Sequence, residues 1–296
     1  MSKISNIAIV GGTHGNEFSG IYLLKKWQQH PQLLARSSLS VETVFANPKA
    51  YGENKRYIDA DLNRQFSASE LADFSLANYE QSRAKVLHQQ LGPKTNPNMD
   101  LVIDLHNTTS NMGPTLILLD QTPFDLQLAA YVKMLMPETV VFLDEPEDDL
   151  ANHRFLASCG RRGVLIEVGP QPQSVLRQDI LEQMETMTGH ILDFVDLHNQ
   201  QQLPELPHSV EAFLYLDSIK LPLDEQGERI ATVHSNVQDN DYQPINPGDP
   251  IFRTFTGEDI CYEGNKTVYP AFINEAAYYD NDLAMSLLDK VRLELS

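Results

Sequence analysis

The chain has little that would staple, anchor or draw it to nucleic acid. Of its 296 residues only two are cysteines, Cys159 and Cys261, set far apart with neither a pairing pattern nor the spacing of a metal knuckle. A disulfide framework is excluded, both thiols read as ordinary, and a reducing compartment is expected. Basic residues are scarce as well: 22 Lys and Arg stand against 41 Asp and Glu, a formal charge of −19. Neutralising a phosphate backbone needs a basic surface, so nucleic acid is excluded as a partner. Most of the acidic surplus reads as solubility, and a few arginines with a metal can still make one cleft attractive to a small anion. No apolar run approaches the ~18 residues of a membrane helix. The first strand-like run begins so close to Met1 that no signal peptide fits before it. A cytoplasmic protein without membrane contact is expected.

What is present is an ordinary globular composition, with 42% hydrophobic and 21% charged residues. The length allows one large domain or two unequal ones. Through the first two thirds, strand-like runs over 4–10, 40–46, 101–105, 115–119, 139–143 and 163–168 alternate with helix-like spacing over 17–29, 79–91, 125–135 and 173–198. Such alternation predicts an α/β fold, with a mainly parallel sheet and helices on both faces. The polar run Asn199-Gln200-Gln201-Gln202, followed by Pro204 and Pro207, reads as a linker. Beyond it, turn signals such as Asn246-Pro247-Gly248-Asp249 and Thr256-Gly257-Glu258-Asp259 break the chain into short strands. The expected division is therefore a larger α/β domain over 1–202 and a smaller, mostly β domain over 203–296.

Three clusters carry chemistry. Gly11-Gly12-Thr13-His14-Gly15-Asn16-Glu17 follows the apolar run Ile7-Ala8-Ile9-Val10, so an imidazole and a carboxylate sit at a strand end, where open α/β sheets keep their sites. A second strand, 101–105, delivers His106 to the same edge. Two His and one Glu form a common ligand set for catalytic zinc, which leaves the fourth position to water. The second cluster, Arg56-Tyr57-Ile58-Asp59-Ala60-Asp61-Leu62-Asn63-Arg64, is too polar for a core element. Its residues suit either a solvated loop or a cradle for carboxylates and an oxyanion. The third is Glu167 inside the apolar strand Val164-Leu165-Ile166-Glu167-Val168: a carboxyl there is costly unless paired or used, which points to a general base. The other histidines, His153 included, read as ordinary surface or core residues.

These stretches, together with Asp104-Leu105-His106-Asn107-Thr108-Thr109-Ser110, Glu167-Val168-Gly169-Pro170-Gln171-Pro172-Gln173 and Val268-Tyr269-Pro270-Ala271-Phe272-Ile273-Asn274-Glu275-Ala276-Ala277-Tyr278-Tyr279, closely resemble the aspartoacylases, a branch of the zinc carboxypeptidase-like superfamily. The resemblance runs collinearly over nearly the whole chain. It implies a carboxypeptidase-like fold and one zinc per subunit held by His14, Glu17 and His106. It also implies that Glu167 activates the zinc-bound water while Arg56 and zinc polarise the amide carbonyl. Asn63, Arg64 and Tyr278 would hold the carboxylates of the amino-acid part, and Asn107, next to the third ligand, would also bind substrate. The reaction implied is hydrolysis of N-acetyl-L-aspartate to acetate and L-aspartate by a homodimer or homotetramer.

One stretch departs from that pattern. The family's Tyr and Arg for the substrate's side-chain carboxylate lie about ten positions before the catalytic Glu. The match here is Leu150-Ala151-Asn152-His153-Arg154, thirteen before Glu167, with an Arg and no Tyr. Related aminoacylases acting on N-acyl aromatic amino acids and mercapturates lack that Arg, and the segment 256–264 looks closer to theirs. N-acetylaspartate is expected first, with Arg154 as its second carboxylate partner, and N-acyl aromatic amino acids or mercapturates are the alternative.

Overall fold

Strand β1 (Asn6–Gly11) is buried along its length from Ile7 onward. In the computed structural model, which describes residues 3–144, 152–278 and 280–295, its side chains alternate between two separate apolar clusters: Ile7 and Ile9 in one, Ala8 and Val10 in the other. A strand covered on both faces needs a helical layer on each, and the chain supplies them. In order it forms α1 (Phe18–Gln29), β2 (Ser40–Phe45), α2 (Pro48–Gly52), α3 (Ala68–Ala72), α4 (Tyr79–Leu91), β3 (Leu101–Asn107), β4 (Gly113–Leu118), α5 (Pro123–Leu135), β5 (Val140–Leu143), β6 (Gly163–Gly169) and α6 (Gln178–Gln200). There follow β7 (Ser209–Lys220), β8 (Ala231–Val233), β9 (Pro250–Thr254), β10 (Asp259–Cys261), β11 (Tyr269–Ala271) and β12 (Leu283–Glu294).

Nine strands make one sheet in the order β11-β12-β7-β5-β4-β6-β3-β1-β2. Pairings β1–β2, β1–β3, β3–β6, β4–β5 and β5–β7 are parallel, whereas β4 runs antiparallel to β6, and β12 antiparallel to β7 and β11. This is the mixed, mainly parallel α/β sheet expected. Apolar residues of α1, α5 and α6 cover one face, and those of α4 with Leu62 and Phe66 cover the other. Each fully buried Ile or Leu contributes roughly 1.5–3 kcal/mol.

Helix ends follow local chemistry. Asn78 caps α4 through a box with Gln81, and Pro123 opens α5. Among the described residues no helix is long and apolar enough to cross a membrane.

The C-terminal region differs from the expectation of short strands only. A three-stranded antiparallel sheet β10-β9-β8 is short, but β7 and β12 are 12 residues each and pair along their length to extend the main sheet. Their pattern escapes a period-2 reading because burial changes midway. Both strands run from the core out to solvent, and their register shifts twice.

Asp241 helps fasten this region. Its Oδ1 accepts the Ile273 N–H (3.2 Å), while Oδ2 is buried with no hydrogen-bond partner among the described residues. Burial pushes its carboxyl up to about 7. The folded chain thus holds a proton that the unfolded chain releases near pH 4. The resulting stability is full below that pH and is lost as pH rises toward 7, at about 1.4 kcal/mol per unit. Asp241→Asn is expected to flatten this slope: urea midpoints at pH 5 and pH 7.5 should lie closer together in the variant. An unchanged difference would refute the assignment.

Candidate metal and catalytic site

The turn after β1 is shaped by two glycines. Gly12 has φ +71°, and a Cβ there would lie 2.5 Å from the Phe45 ring. Gly15 packs so tightly on α2 that a Cβ would sit 2.2 Å from the Ala50 carbonyl carbon and the Tyr51 nitrogen. This approach swings His14 and Glu17 back over the sheet edge, where β3 delivers His106.

Ligand atoms of His14, Glu17 and His106 all lie within 4.8 Å of one another, and all three residues are buried. His14 Nδ1 is 2.7 Å from Glu17 Oε1, and His106 Nδ1 is 2.9 Å from Glu17 Oε2. Each far nitrogen faces another carboxylate: His14 Nε2 meets Asp61 Oδ1 at 3.0 Å, and His106 Nε2 meets Asp104 Oδ2 at 2.8 Å. Asp104 is itself held by the Thr13 hydroxyl at 2.7 Å. A carboxylate on Nε2 keeps the proton there, leaves the Nδ1 lone pair for a cation and raises its basicity. Two nitrogens and a carboxylate, backed in this way, suit a divalent ion of the zinc type with one position open.

The electrostatics agree. Burial works against Glu17's charge, but His14 and His106 outweigh it and hold its carboxyl well below the usual range. Burial likewise opposes a charged His106, and Asp104 with Glu17 overcomes it, holding that imidazole well above 6.5. Positive charge at this point is therefore favoured by several surrounding carboxylates at once.

Glu167 lies on β6 directly across from His106 on β3. Among the described residues nothing hydrogen-bonds its carboxyl, and burial, reinforced by Glu17, raises its pKa well above the ordinary value despite His106 and Arg56. A buried carboxyl without donors that borders a cavity is poised to take and return a proton.

One cavity of about 360 Å³ gathers the triad, Glu167 and most other residues singled out by sequence, including Arg56, Asn63, Arg64, Asn107, Arg154 and Tyr278. Arg56 is buried between two carboxylates, with Nη1 2.9 Å from Glu17 Oε1 and Nη2 3.1 Å from Asp61 Oδ2. Asn63 Oδ1 accepts the Leu156 N–H at 2.8 Å. Arg64 stacks on the Phe155 ring at 4.6 Å and donates to the Asn63 carbonyl. Tyr278 comes from the far end of the chain. Burial raises its phenol above 10, with Arg64 and Arg56 close enough to oppose the shift.

Two placements are less direct. Asn107 spends Oδ1 on the Ser19 N–H (3.2 Å), closing the start of α1, and its Nδ2 is buried with no partner among the described residues. Arg154 borders the cavity, but its side chain is 51% exposed and its Nη2 is paired with Glu70 at 3.0 Å. Leu150 and Ala151, quoted with it above, lie outside the described residues.

The structure also adds residues that sequence reading passed over. His153 is buried in the cavity wall rather than ordinary, its Nε2 3.2 Å from Asp144. Glu275, also buried, accepts the Thr109 and Ser110 N–H groups at 2.7 and 3.1 Å and takes the Thr108 hydroxyl as well. It thereby ties the loop after β3 to the Tyr278 segment. Asp61 and Asp104 read as polar loop and strand residues, and only their contacts with the imidazoles, and for Asp61 also with Arg56, give them a role.

Known proteins resemble this chain along nearly its whole length. The chain matches the succinylglutamate desuccinylase/aspartoacylase catalytic domain over residues 3–195 and the AstE/AspA barrel-sandwich hybrid domain over 208–290. It is 42% identical over 291 residues to a probable aspartoacylase of Trichodesmium erythraeum, covering 98% of each chain. It is also 42% identical over 294 residues to an N-acyl-aromatic-L-amino acid amidohydrolase (carboxylate-forming) of Rattus norvegicus, covering 98% of this chain and 92% of that one. The crystal structure of murine aminoacylase 3 superposes with a TM-score of 0.94 at 40% identity, covering 100% of this chain and 98% of the other.

Proposed function

Because the chain belongs to the succinylglutamate desuccinylase/aspartoacylase family, we propose that it is a zinc-dependent amidohydrolase that splits an N-acyl amino acid into a carboxylate and a free amino acid. One observation carries this reading: the convergence of His14, Glu17 and His106 in a cavity that also holds the unpaired carboxyl of Glu167.

His14, Glu17 and His106 would hold the ion, which when bound supplies Lewis acidity toward water and the amide carbonyl. Glu167 takes a proton from the attacking water and returns it to the amide nitrogen as the C–N bond breaks. Arg56, fixed by Glu17 and Asp61, offers charge where the carbonyl oxygen becomes negative. Arg64, Asn63 and Tyr278 orient the α-carboxylate, and the stacking of Arg64 on Phe155 limits its freedom.

For the side chain we infer an aromatic or apolar group ahead of aspartate. Ile117, Phe142, Leu165 and Phe272 line the cavity, and Asp144 adds a negative charge to it. Arg154, the cation on which an aspartate preference would rest, is already paired with Glu70 and half exposed. N-acetylaspartate stays as the second reading because Arg154 does border the cavity. The expected result is a higher kcat/KM for N-acetylphenylalanine than for N-acetylaspartate, with Arg154→Ala changing either by less than about threefold, as for an exposed ion pair. Preference for the aspartate compound, lost about a hundredfold in Arg154→Ala, would reverse the order.

A further inference from the structure

Glu80 sits in the first turn of α4 and is fully buried. A buried carboxylate is costly unless donors replace its water. Four do so here: three backbone amides of the polar segment 56–64 and the side chain of Asn47, which caps α2. Oε1 accepts from the Ile58 N–H at 2.8 Å and from Asn47 Nδ2 at 3.1 Å, and Oε2 accepts from the Asp59 and Ala60 N–H groups at 2.9 and 3.3 Å. In return Asp59 Oδ2 accepts the Tyr79 N–H at 2.9 Å. Helix end and loop clasp each other from both sides.

The clasped loop carries the proposed substrate contacts. Arg56 precedes the three amides, Asn63 and Arg64 follow them, and between Arg56 and the short turn starting at Leu62 there is no helix or strand. Within the loop Asp61 ties Arg56 to His14 through its own carboxylate, but the backbone amides of Ile58, Asp59 and Ala60 are held from outside it, by Glu80. We propose that Glu80 is a positioning residue for hydrolysis: by gathering three successive loop amides on one carboxylate, it sets where Arg56 meets the carbonyl and where Asn63 and Arg64 meet the carboxylate. The proposal rests on the amidohydrolase reading above.

Glu80→Gln keeps the size of the side chain but turns one acceptor into an NH2 group facing N–H donors, so at least one loop amide loses its partner. A displacement on the order of 1 Å at catalytic groups costs about a hundredfold in rate. The expected outcome is unchanged zinc content, because the ligands lie on other elements, with kcat down about tenfold or more and KM up several-fold. The rise in KM is the deciding reading. A purely structural role would reduce the active fraction, lowering apparent kcat at constant KM. Should Glu80→Gln fail to fold, Asp59→Ala, an exposed residue on the other half of the clasp, is expected to shift KM in the same direction by a smaller factor. An active wild type whose variant keeps its KM overturns the positioning role alone. A wild type that hydrolyses no N-acyl amino acid overturns the activity reading and this one together.

Discussion

Glu167→Ala is expected to keep one zinc per chain and to lose hydrolysis by about 10²–10⁴, the range for removal of a proton-transfer group. The separation of the two effects follows from geometry. Glu167 stands across the sheet from His106 on a neighbouring strand and is not one of the three converging ligands, so the cation loses no ligand when its carboxyl goes. Stability should not suffer either. Among the described residues the carboxyl has no donor, and removing it together with Cγ relieves desolvation while enlarging a cavity that it already borders. Metal analysis, thermal melting and steady-state kinetics on the same preparation test all three statements. Turnover within threefold of wild type would remove Glu167 from the chemistry; loss of the ion would instead make it a ligand.

The second large effect is loss of the ion itself. Dialysis against a chelator is expected to abolish activity, and added zinc to restore it. His106→Ala should behave as a permanently stripped protein that zinc does not rescue at ordinary concentrations. The chelated protein should also melt at a lower temperature than the loaded one, because an ion that binds only the folded state adds RT ln(1 + [L]/Kd) to stability. Without it, Glu17, Asp61 and Asp104 crowd two imidazoles whose far nitrogens are already engaged. Asp104→Asn provides a graded version: it keeps all three ligands but weakens the support of His106, and metal affinity should fall about 10–100-fold. Full activity in a chain carrying less than a trace of divalent metal would contradict the metal reading altogether.

Much of this is legible in the amino-acid sequence. The helix expected over 79–91 is α4 to the residue, and the expected helix at 17–29 differs from α1 only at its first position, Glu17. Glu17 does not cap that helix with its side chain, because its carboxylate is occupied by His14, His106 and Arg56. The strands that frame the site are buried at every position and apolar except where they carry Asp104, His106, Asn107 and Glu167, as burial on two faces demands. Harder to read were β7 and β12, where exposure varies along each strand, and the segment 56–64. Its charges look solvated until Glu80, from a helix twenty or so residues on, is seen to gather its amides.

The amino-acid order on its own determined the alternation of strands and helices, the two strand ends that carry His14 and His106, and the presence of a carboxyl in an apolar strand. Those properties depend on neighbours a few positions away, through periodicity and turn chemistry, and so they are written locally. Only the tertiary structure decided which carboxylates stand behind the imidazoles, that Arg154 turns to Glu70, and that Glu275, Glu80 and His153 belong to the cavity or its supports. Each of those roles comes from a contact between distant segments, and a charged side chain has the same local pattern whether it faces water or a buried partner.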